Sequence, residues 1–177
     1  MNTTKWGPPG WEFLHAIAFN YPEKPTDADK RLYKSYFSLT ARILPCKYCR
    51  ESFHKYLRML PIDEFLGSRE GVTIWLYMIH NMVNEKLRKQ GLNDKKDPTF
   101  LQVCKKYEAW RAKCSNGTCR AKVDKGLMAK AMEAYKKYQA EPGKQGARDK
   151  IMRKSKATDA KKKSSGGGTC RATCGYR

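Results

Sequence analysis

Residues 44–60 read Leu-Pro-Cys-Lys-Tyr-Cys-Arg-Glu-Ser-Phe-His-Lys-Tyr-Leu-Arg-Met-Leu. Pro45 suits the first position of a helix, where its fixed φ is helical and no backbone donor is needed. Cys46 and Cys49 then fall three residues apart in the first turn, on one face. The N–H groups and positive dipole at a helix start stabilise a thiolate. The spacing therefore predicts a redox centre, in which a disulfide between the two cysteines closes and reopens. The apolar residues that mark the buried side of this helix are Phe53, Tyr56, Leu57 and Leu60.

Three other interpretations of this stretch have to be weighed. Cys46, Cys49 and His54 resemble part of a zinc ligand set, but a structural zinc site normally has a second pair at short spacing. The later cysteines Cys114 and Cys119 have four residues between them, which does not fit that pattern. A thioredoxin-like site needs a βαβ context, and nothing upstream reads as a strand. The last alternative is a pair of buried cysteines without chemistry. The pattern favours the redox centre, and no metal is expected there.

Composition narrows the class of protein. The chain has 177 residues, with 37 basic and 17 acidic side chains and a net charge of +20. No apolar run is long enough to span a bilayer, and the N-terminus lacks the apolar core of a signal peptide. We therefore expect no membrane partner and no secretion. Seven cysteines in such a chain indicate exchanging thiols more than a passive disulfide framework.

Hydrophobic periodicity predicts an all-α bundle of four main helices and a short fifth one. Residues 1–10 contain two glycines and two prolines, so we expect an extended lead with the first helix beginning at Trp11. Thr26 and Asp29 form a capping box for the second helix. No segment before residue 118 alternates with a period of two, so no strand is expected there. The buried stripe expected for the second helix is Leu32, Tyr33, Tyr36, Phe37, Leu39, Ile43 and Leu44.

The later part of the bundle follows the same logic. The third helix is the one that carries the cysteine pair, and Pro61 closes it. The fourth helix is expected at about 69–90, with Gly91 as its C-cap. A polar loop at 91–98 then leads to the fifth helix. The apolar positions expected to face the core here are Val72, Trp75, Ile79, Met82, Val83 and Leu87 in the fourth helix, and Phe100, Val103, Tyr107 and Trp110 in the fifth.

The chain divides into three expected segments: a bundle domain at 1–118, a basic helical or disordered extension at 119–163, and a tail at 164–177. Residues 120–163 hold 15 basic against 5 acidic side chains. Within this stretch, 121–140 is compatible with a helix, although its apolar stripe is thin. The lysine-rich part that follows is expected to be disordered. A glycine-rich linker precedes a second close pair, Cys170 and Cys174.

Three motifs follow one another along the chain. They are Gly7-x-x-x-Trp11-x-x-x-His15 followed by Tyr21-Pro22, Pro45-Cys46-x-x-Cys49-x-x-x-Phe53, and Trp75-x-x-x-x-His80-Asn81-x-Val83-Asn84-x-x-Leu87. In this order and on an all-helical pattern, they resemble the Erv/ALR flavin-dependent sulfhydryl oxidases, particularly the versions carried by large DNA viruses. The resemblance extends from about residue 5 to residue 112.

This resemblance implies a four-helix bundle with a short fifth helix that holds FAD at one end, usually as a homodimer. By the same resemblance, Cys49 lies against the isoalloxazine ring and passes electrons to it, whereas Cys46 exchanges with incoming thiols. The positions that the resemblance assigns to FAD binding are Gly7, Trp11, His15, Cys49, His80, Asn81, Val83, Asn84 and Leu87.

The residue types are compatible with these roles, and each also has a plainer interpretation. His80 and Val83 share a helical face with Asn84, and imidazole, apolar and amide groups suit a flat cofactor with polar edges. Trp75 is expected to be core packing. His80 taken without the other motifs is better explained as a buried histidine bonded to a carbonyl. Trp11 is equally well a large core anchor.

The sequence departs from the family at one pair of positions. The family commonly has a cysteine two residues after the tryptophan of the third motif, bonded to one near the fifth helix, and Tyr77 stands there instead. Cys104 is therefore free or pairs with Cys114 or Cys119. The latter two flank Ser-Asn-Gly-Thr, a turn-like sequence that would let them close a small loop. Sequence alone does not decide this connectivity.

The expected reaction is disulfide formation, in which two protein thiols and O2 give a disulfide and hydrogen peroxide. An incoming thiolate attacks the Cys46–Cys49 disulfide at Cys46, a second thiol resolves the mixed disulfide, and the flavin receives the electrons. Cys170 and Cys174 are expected to shuttle electrons from a substrate to Cys46, in the same or the partner subunit. The alternative is that the terminal pair is incidental or binds a separate metal.

A rival function class is a zinc- or disulfide-stabilised basic protein that binds nucleic acid or belongs to a virion. The basic segment 120–163 would attract a nonspecific anionic partner, such as nucleic acid or an acidic protein. No recognisable nucleic-acid fold accompanies this charge. If the viral likeness holds, the expected location is the host-cell cytoplasm or the virion, with the mitochondrial intermembrane space as the less favoured alternative. Flavin in the purified protein would favour the oxidase over the rival.

Overall fold

The computed structural model describes residues 1–115, 118–121 and 125–141. The expected all-α bundle of four main helices and a short fifth one is confirmed. A one-turn 3-10 helix, Ile62–Phe65, connects the third and fourth helices. The helices are α1 at Thr3–Phe19, α2 at Asp27–Ile43, α3 at Lys47–Met59, α4 at Arg69–Lys89 and α5 at Phe100–Glu108.

Three further elements follow α5. Strands β1 (Ala112–Ser115) and β2 (Thr118–Ala121) form an antiparallel hairpin, and helix α6 spans Lys125–Ala140. The expectation of no strand before residue 118 is therefore wrong. Each strand has four residues and the two are separated by two, so neither carries enough alternation to be recognised from the sequence. The helix expected at 121–140 is present but begins at Lys125.

The first helix begins earlier than expected. The segment 1–10, expected to be extended, is helical from Thr3 onward, so that expectation is wrong. The side chain of Asn2 caps the helix by accepting a backbone N–H at 3.0 Å. Pro8 and Pro9 lie inside the helix, where each removes one backbone donor. The helix persists through them because its inner side is buried along this stretch.

Helix α4 lies at the centre of the bundle and packs against α1, α3, α5 and α6. Trp75 is fully buried and its indole N–H donates to the Leu60 carbonyl at 3.0 Å, which confirms it as a core residue. The last helical residue is Lys89 and the C-cap is Gln90, so Gly91, expected as the C-cap, follows it by one position, with φ +67°. The N–H of Leu92 donates to Leu87 at 2.9 Å, which completes a Schellman motif.

The buried face of α2 differs from the expected one. Phe37 is buried, but Leu32, Leu39 and Ile43 are 64%, 55% and 74% exposed, so the expectation that these three face the core is wrong. Together with Tyr36 they recur at intervals of four, three and four residues and form one apolar stripe along the outside of α2. Helical periodicity identifies an apolar stripe on a helix, but it does not show whether another element of the same chain packs against that stripe. The exposed stripe is therefore available to another surface.

Helix α6 packs across α4 and α5. The ring of Tyr135 lies 4.6 Å from that of Phe100 and 5.8 Å from that of Tyr77, measured between centroids. Leu127 and Ala131 are buried on the same side of the helix. The aromatic contacts therefore hold α6 against the bundle despite its thin apolar stripe.

Replacing Tyr135 with alanine is expected to lower the free energy of unfolding by about 2 kcal/mol, because it removes the ring that contacts both α4 and α5. The measurement is urea unfolding followed by circular dichroism. Tyr135→Phe is the matched control and should stay near the parent, since the ring contacts remain. An alanine variant with the parental midpoint would show that α6 contributes nothing to stability at this contact.

Part of the C-terminal prediction lies outside the described residues. This applies to the expected disorder after residue 141, the glycine-rich linker, and the cysteine pair Cys170 and Cys174. Among the residues that the structure does describe, no helix is both long and apolar enough to cross a membrane.

Candidate active site

The cysteine pair lies at the start of α3, but the helix begins later than expected, at Lys47 and not at Pro45. Cys46 is the N-cap and not a residue of the first turn, and its Sγ accepts the N–H of Cys49 at 3.4 Å. Pro45 precedes the cap, so its predicted place as the first helical residue is wrong. The guanidinium of Arg50 donates to the Leu44 carbonyl and holds the entry to the helix. A thiolate at Cys46 would receive this N–H more strongly than a thiol does.

The two sulfurs have different surroundings. Cys46 is 8% exposed, while Cys49 is half-buried and lies in the wall of a cavity of about 380 Å³. This cavity is formed by α1, α2, α3 and α4 together with the residues before Cys46. Five of the predicted cofactor positions line it, and they are Gly7, Trp11, Cys49, Val83 and Leu87. The remaining four, which are His15, His80, Asn81 and Asn84, do not belong to its lining.

Aromatic residues that the sequence did not single out also line this cavity. Trp6 is the most informative of them, because its Nε1–H is buried and has no hydrogen-bond partner among the described residues. The ring of Trp6 also passes close to Gly10, where an added Cβ would lie 3.6 Å from it. Trp6 and Gly10 are four residues apart, so they share a helical face if this segment is helical. The sequence could not use this spacing because the segment was expected to be extended. Other lining residues outside the predicted cofactor positions are Phe13, Tyr36, Tyr48, Phe53 and Lys86.

Behind Trp11 lies a pair of buried histidines. His15 Nε2 and His80 Nδ1 are 3.1 Å apart, and both side chains are fully buried. Trp11 stacks on His80 with 3.8 Å between centroids and 7° between planes. On the other side, His15 stacks on Tyr107 at 4.9 Å and 18°. His80 is thus a buried histidine that stacks on Trp11 and shares a hydrogen bond with His15. The plainer interpretation from the sequence expects a carbonyl as its hydrogen-bond partner.

Burial determines the charge of this pair. Burial and, to a lesser degree, the charge of Lys106 lower the pKa of His15 to about 3. The pKa of His80 is also lowered, by burial first and by its neighbour His15 second. Both rings are therefore neutral at neutral pH, and their hydrogen bond needs a single proton, which one ring donates and the other accepts. The wall behind Trp11 is therefore uncharged at neutral pH.

Asn84 belongs to a second, more polar cleft of about 430 Å³. Its Nδ2 donates to Asp97 at 2.9 Å, while its Oδ1 is buried without a hydrogen-bond partner among the described residues. The same is true of Asn81 Oδ1. Two basic side chains, Lys95 and Lys96, also line this cleft. Asn84 thus faces the 93–102 segment and not the aromatic cavity.

The three basic residues near the end of α4 have different environments. Lys86 lines the aromatic cavity, where its Nζ donates to Ser52 Oγ at 2.6 Å. Arg88 is held by Glu85 and Asp97, at 3.1 and 2.8 Å. Lys89 also pairs with Glu85. Of the three, Lys86 is the one whose charge is placed at the cavity.

Tyr77 stands where the family commonly has a disulfide-bonded cysteine, and a hydrogen bond connects this part of the structure in place of a disulfide. Tyr77 donates its hydroxyl to the Pro98 carbonyl at 3.0 Å, tying α4 to the segment before α5. Cys104 is a free and fully buried thiol, and burial together with Glu108 raises its pKa to about 12. It therefore stays protonated and unreactive at neutral pH. Within the described residues, no three His, Cys, Asp or Glu side chains come close enough together to share a metal ion.

Comparison with known proteins agrees with this arrangement. The chain is 42% identical over 85 residues to the probable FAD-linked sulfhydryl oxidase of Acanthamoeba polyphaga mimivirus, covering 48% of this chain and 59% of that protein. It is 40% identical over 83 residues to the mitochondrial FAD-linked sulfhydryl oxidase ERV1 of Saccharomyces cerevisiae, covering 47% and 43%. The chain thus spans about half the length of these curated relatives.

A solved structure and a family model extend the comparison. The FAD binding domain of Erv1 from Saccharomyces cerevisiae superposes with a TM-score of 0.54 at 32% identity, over 60% of this chain and 94% of that one. A sequence model of the Erv1/Alr family matches residues 9–108, more than half of the chain. This range contains the cysteine pair, the histidine pair and most of the cavity wall. The chain therefore belongs to the Erv1/Alr family.

Proposed function

We propose that the chain is an FAD-linked sulfhydryl oxidase, which forms disulfides in thiol-containing proteins and passes the electrons to O2 to give hydrogen peroxide. One observation carries the proposal. In the pair Cys46/Cys49, the first sulfur caps a helix and the second lies in the wall of an aromatic cavity. Membership of a family whose relatives bear the name FAD-linked sulfhydryl oxidase supports the same activity.

The residues of the cavity fit a flavin. Its volume of about 380 Å³ is within the range of small-molecule sites, and Trp6, Trp11 and Phe53 give it aromatic walls. The buried Trp6 Nε1–H supplies a donor that a polar ring edge would satisfy. Lys86 supplies a positive charge at the same cavity. Bound FAD would supply an acceptor for two electrons that can return them to oxygen.

The two cysteines have separate roles in this proposal. A substrate thiolate attacks Cys46 Sγ of the Cys46–Cys49 disulfide, which forms a mixed disulfide and releases Cys49 as a thiolate in the cavity wall. A second substrate thiolate then attacks the substrate sulfur and releases Cys46. Two thiols have lost two protons and two electrons, and the pair has become a dithiol. The departing Cys46 thiolate is stabilised by the N–H of Cys49, which already reaches its Sγ.

The test uses the full chain. Protein purified without added cofactor should carry FAD, released on denaturation, and should consume oxygen and form hydrogen peroxide with a dithiol and with a reduced protein. Colourless protein that contains zinc and binds nucleic acid would overturn the oxidase in favour of the rival binding function. Metal analysis and flavin absorbance on one sample separate the two.

We also propose that the chain acts as a homodimer, in which a second copy covers the outer side of α1 and α2. Phe13 is 63% exposed and Ile43 is 74% exposed, and both also line the mouth of the aromatic cavity. The apolar stripe on α2 continues this surface through Leu39. An apolar surface continuous with a cofactor cavity is better explained by a partner than by solvent. A second copy on this face would complete the cavity wall.

The double substitution Leu39→Asp/Ile43→Asp is expected to convert the dimer to a monomer, because it places charges in the centre of an apolar contact. Analytical ultracentrifugation measures the change. Leu101→Asp is the matched control, since Leu101 is also a partly exposed apolar residue but lies on α5. A double variant that sediments like the parent dimer would exclude this face as the interface.

Cys170 and Cys174 are proposed to carry electrons from a protein substrate to Cys46. The support comes from the sequence, because a cysteine pair on a long glycine- and lysine-rich tail can reach Cys46 and exchange disulfides with it and with a substrate. Replacing both with alanine should slow oxidation of a folded protein substrate while sparing a small dithiol. Unchanged turnover of the protein substrate would remove the shuttle.

The place of action is proposed on similarity alone. The likeness to a mimivirus protein supports the host-cell cytoplasm or the virion. The likeness to a mitochondrial yeast protein keeps the intermembrane space as the alternative.

A further inference from the structure

The hairpin after α5 places two cysteines at the same level of its ladder. Cys114 is the register partner of Cys119, one step from the innermost pair, Ser115 and Thr118. The two residues between the strands, 116–117, are Asn-Gly. This dipeptide is the one most favoured in two-residue hairpin connections. The sequence of the connection and the observed register therefore agree.

The position in the ladder matters for sulfur chemistry. Opposite residues in an antiparallel pair alternate between hydrogen-bonded and non-hydrogen-bonded positions, and a two-residue hairpin is closed by a hydrogen-bonded pair. The next pair outward, which holds Cys114 and Cys119, is non-hydrogen-bonded. Cα atoms at such a pair are about 4.5 Å apart, within the range of about 4.4–6.8 Å that a disulfide spans. The register is therefore one that a cross-strand disulfide can bridge.

The other nearby cysteine is excluded as a partner. Cys104 is fully buried on α5, and its thiol remains protonated at neutral pH, as described above. Exchange requires an accessible thiolate. We infer that Cys114 and Cys119 form a cross-strand disulfide, and that Cys104 remains a thiol.

The chemistry requires a disulfide as the oxidant. One thiolate of the pair attacks a sulfur of the donor disulfide, which forms a mixed disulfide and releases the donor's other sulfur as a thiolate. The second thiolate attacks the protein sulfur of the mixed disulfide and releases the donor's remaining sulfur. The two cysteines lose two protons and two electrons, and the donor disulfide is reduced to two thiols. Glutathione disulfide is one such donor. The Cys46–Cys49 disulfide of another copy is a second, and this choice alone rests on the proposed function.

The bond would secure the connection between α5 and α6. A two-stranded hairpin with four-residue strands is marginal by itself. On its α5 side, Arg111 donates to the Phe19 carbonyl at 2.8 Å and pairs with Glu108. On its other side, α6 packs on the bundle. A covalent link across the hairpin would therefore fix the strand pairing between two anchored ends.

The test uses full-length protein with the double substitution Cys46→Ser/Cys49→Ser, so that its outcome does not depend on the oxidase. The protein is equilibrated in glutathione buffers, quenched with acid, alkylated and digested with trypsin. Cleavage after Lys113 and Arg120 gives one peptide, 114–120, that contains both cysteines. In oxidising buffer this peptide should be unalkylated and lighter by two hydrogen atoms. Under denaturing alkylation the Cys104 peptide should be fully alkylated.

A turn variant tests the geometry behind the bond. Gly117→Val should shift the glutathione equilibrium toward the dithiol by about tenfold, because it replaces the Asn-Gly dipeptide that favours a two-residue hairpin connection. Ser115→Ala, which leaves the turn dipeptide intact, is the control and should match the parent. Alkylation of both cysteines in excess glutathione disulfide would overturn the inference. So would a cross-link from either cysteine to Cys104. If the 114–120 peptide is closed but the parent protein, which keeps Cys46 and Cys49, consumes no oxygen with a dithiol, only the proposed function is contradicted.

Discussion

Serine at position 49 is expected to abolish thiol oxidation while FAD stays bound. Cys49 is the sulfur in the cavity wall, and without it electrons taken up at Cys46 cannot reach a cofactor in that cavity. Removal of a residue that takes part covalently commonly costs at least about 10³-fold in kcat. The measurement is oxygen uptake with a dithiol, together with the FAD content of the same protein sample. Retained flavin separates a chemical defect from a folding defect.

Two further variants sharpen this result. Cys46→Ser should fold normally, because serine is a preferred N-cap and can accept the Cys49 N–H in place of sulfur. It should nevertheless lose turnover of protein substrates, since the sulfur that exchanges with them is gone. Cys104→Ser is the control and should keep the parental rate, because that thiol is buried away from exchange. Parental activity in Cys49→Ser would show that electrons leave the thiols by another route.

Much of the fold follows from local signals that are strong in this sequence. Helix α4 was predictable because its apolar residues recur over 21 residues, with Ser68 as its N-cap and Gly91 just beyond its end. The Thr26–Asp29 capping box was predictable for the same reason and is present. In both cases the residues at the helix boundaries are of types favoured at those positions. These elements are decided by their own residues.

Other elements depend on contacts that no local pattern encodes. Pro8 and Pro9 argue against a helix, yet the start of α1 is helical because its inner side is buried by the rest of the bundle. The α2 stripe of Leu32, Leu39 and Ile43 is apolar but exposed, because no element within the described part of the chain covers it. A single sequence shows that a helix has an apolar side, but it does not show which surface packs against that side.

The candidate site divides in the same way. The cysteine spacing and the motif histidines could be found from the sequence, because few other uses explain them together. Their arrangement could not be found. His15 and His80 are 65 positions apart, and only the packing of α1 on α4 brings their rings within 3.1 Å. Trp6 was missed because its role follows from the unexpected helical turn before Gly10. Sequence motifs thus identify candidate site residues, and the tertiary structure determines which of those residues are in contact.

This histidine pair leads to the second large effect, a loss of stability on mild acidification. Burial first, and the charge of Lys106 second, lower the pKa of His15 from 6.5 to about 3. His80 shifts in the same direction, with burial again the largest cause. In the unfolded chain both rings bind protons near their ordinary pKa of about 6.5. Below that pH the unfolded state therefore holds more protons than the folded state.

The sign follows from this difference. Stability rises with pH wherever the unfolded state binds more protons, so it is fully present above about pH 6.5 and is lost progressively as the pH falls toward about 3. For His15 alone, the loss between about pH 7 and about pH 5 is about 2 kcal/mol. His80 adds a loss in the same direction. The carboxylates whose pKa values are lowered, such as Glu85, lose their contribution only at lower pH, below about 4.5.

Urea unfolding at several pH values between about 5 and 7 measures the effect, and the unfolding midpoint should fall steadily with pH. The chain has three histidines, and the third, His54, is only half-buried. His15→Gln should flatten the pH dependence of the midpoint, because one buried ring no longer titrates, and His54→Gln is the control variant that keeps both buried rings. If the glutamine variant at position 15 unfolds, the proton uptake of the parent on unfolding gives the same answer without a mutation. Equal midpoints at both ends of this range would mean that one of the buried rings already carries a proton in the folded protein. In that case the hydrogen-bonded pair would be charged, and the wall behind Trp11 would hold a cation.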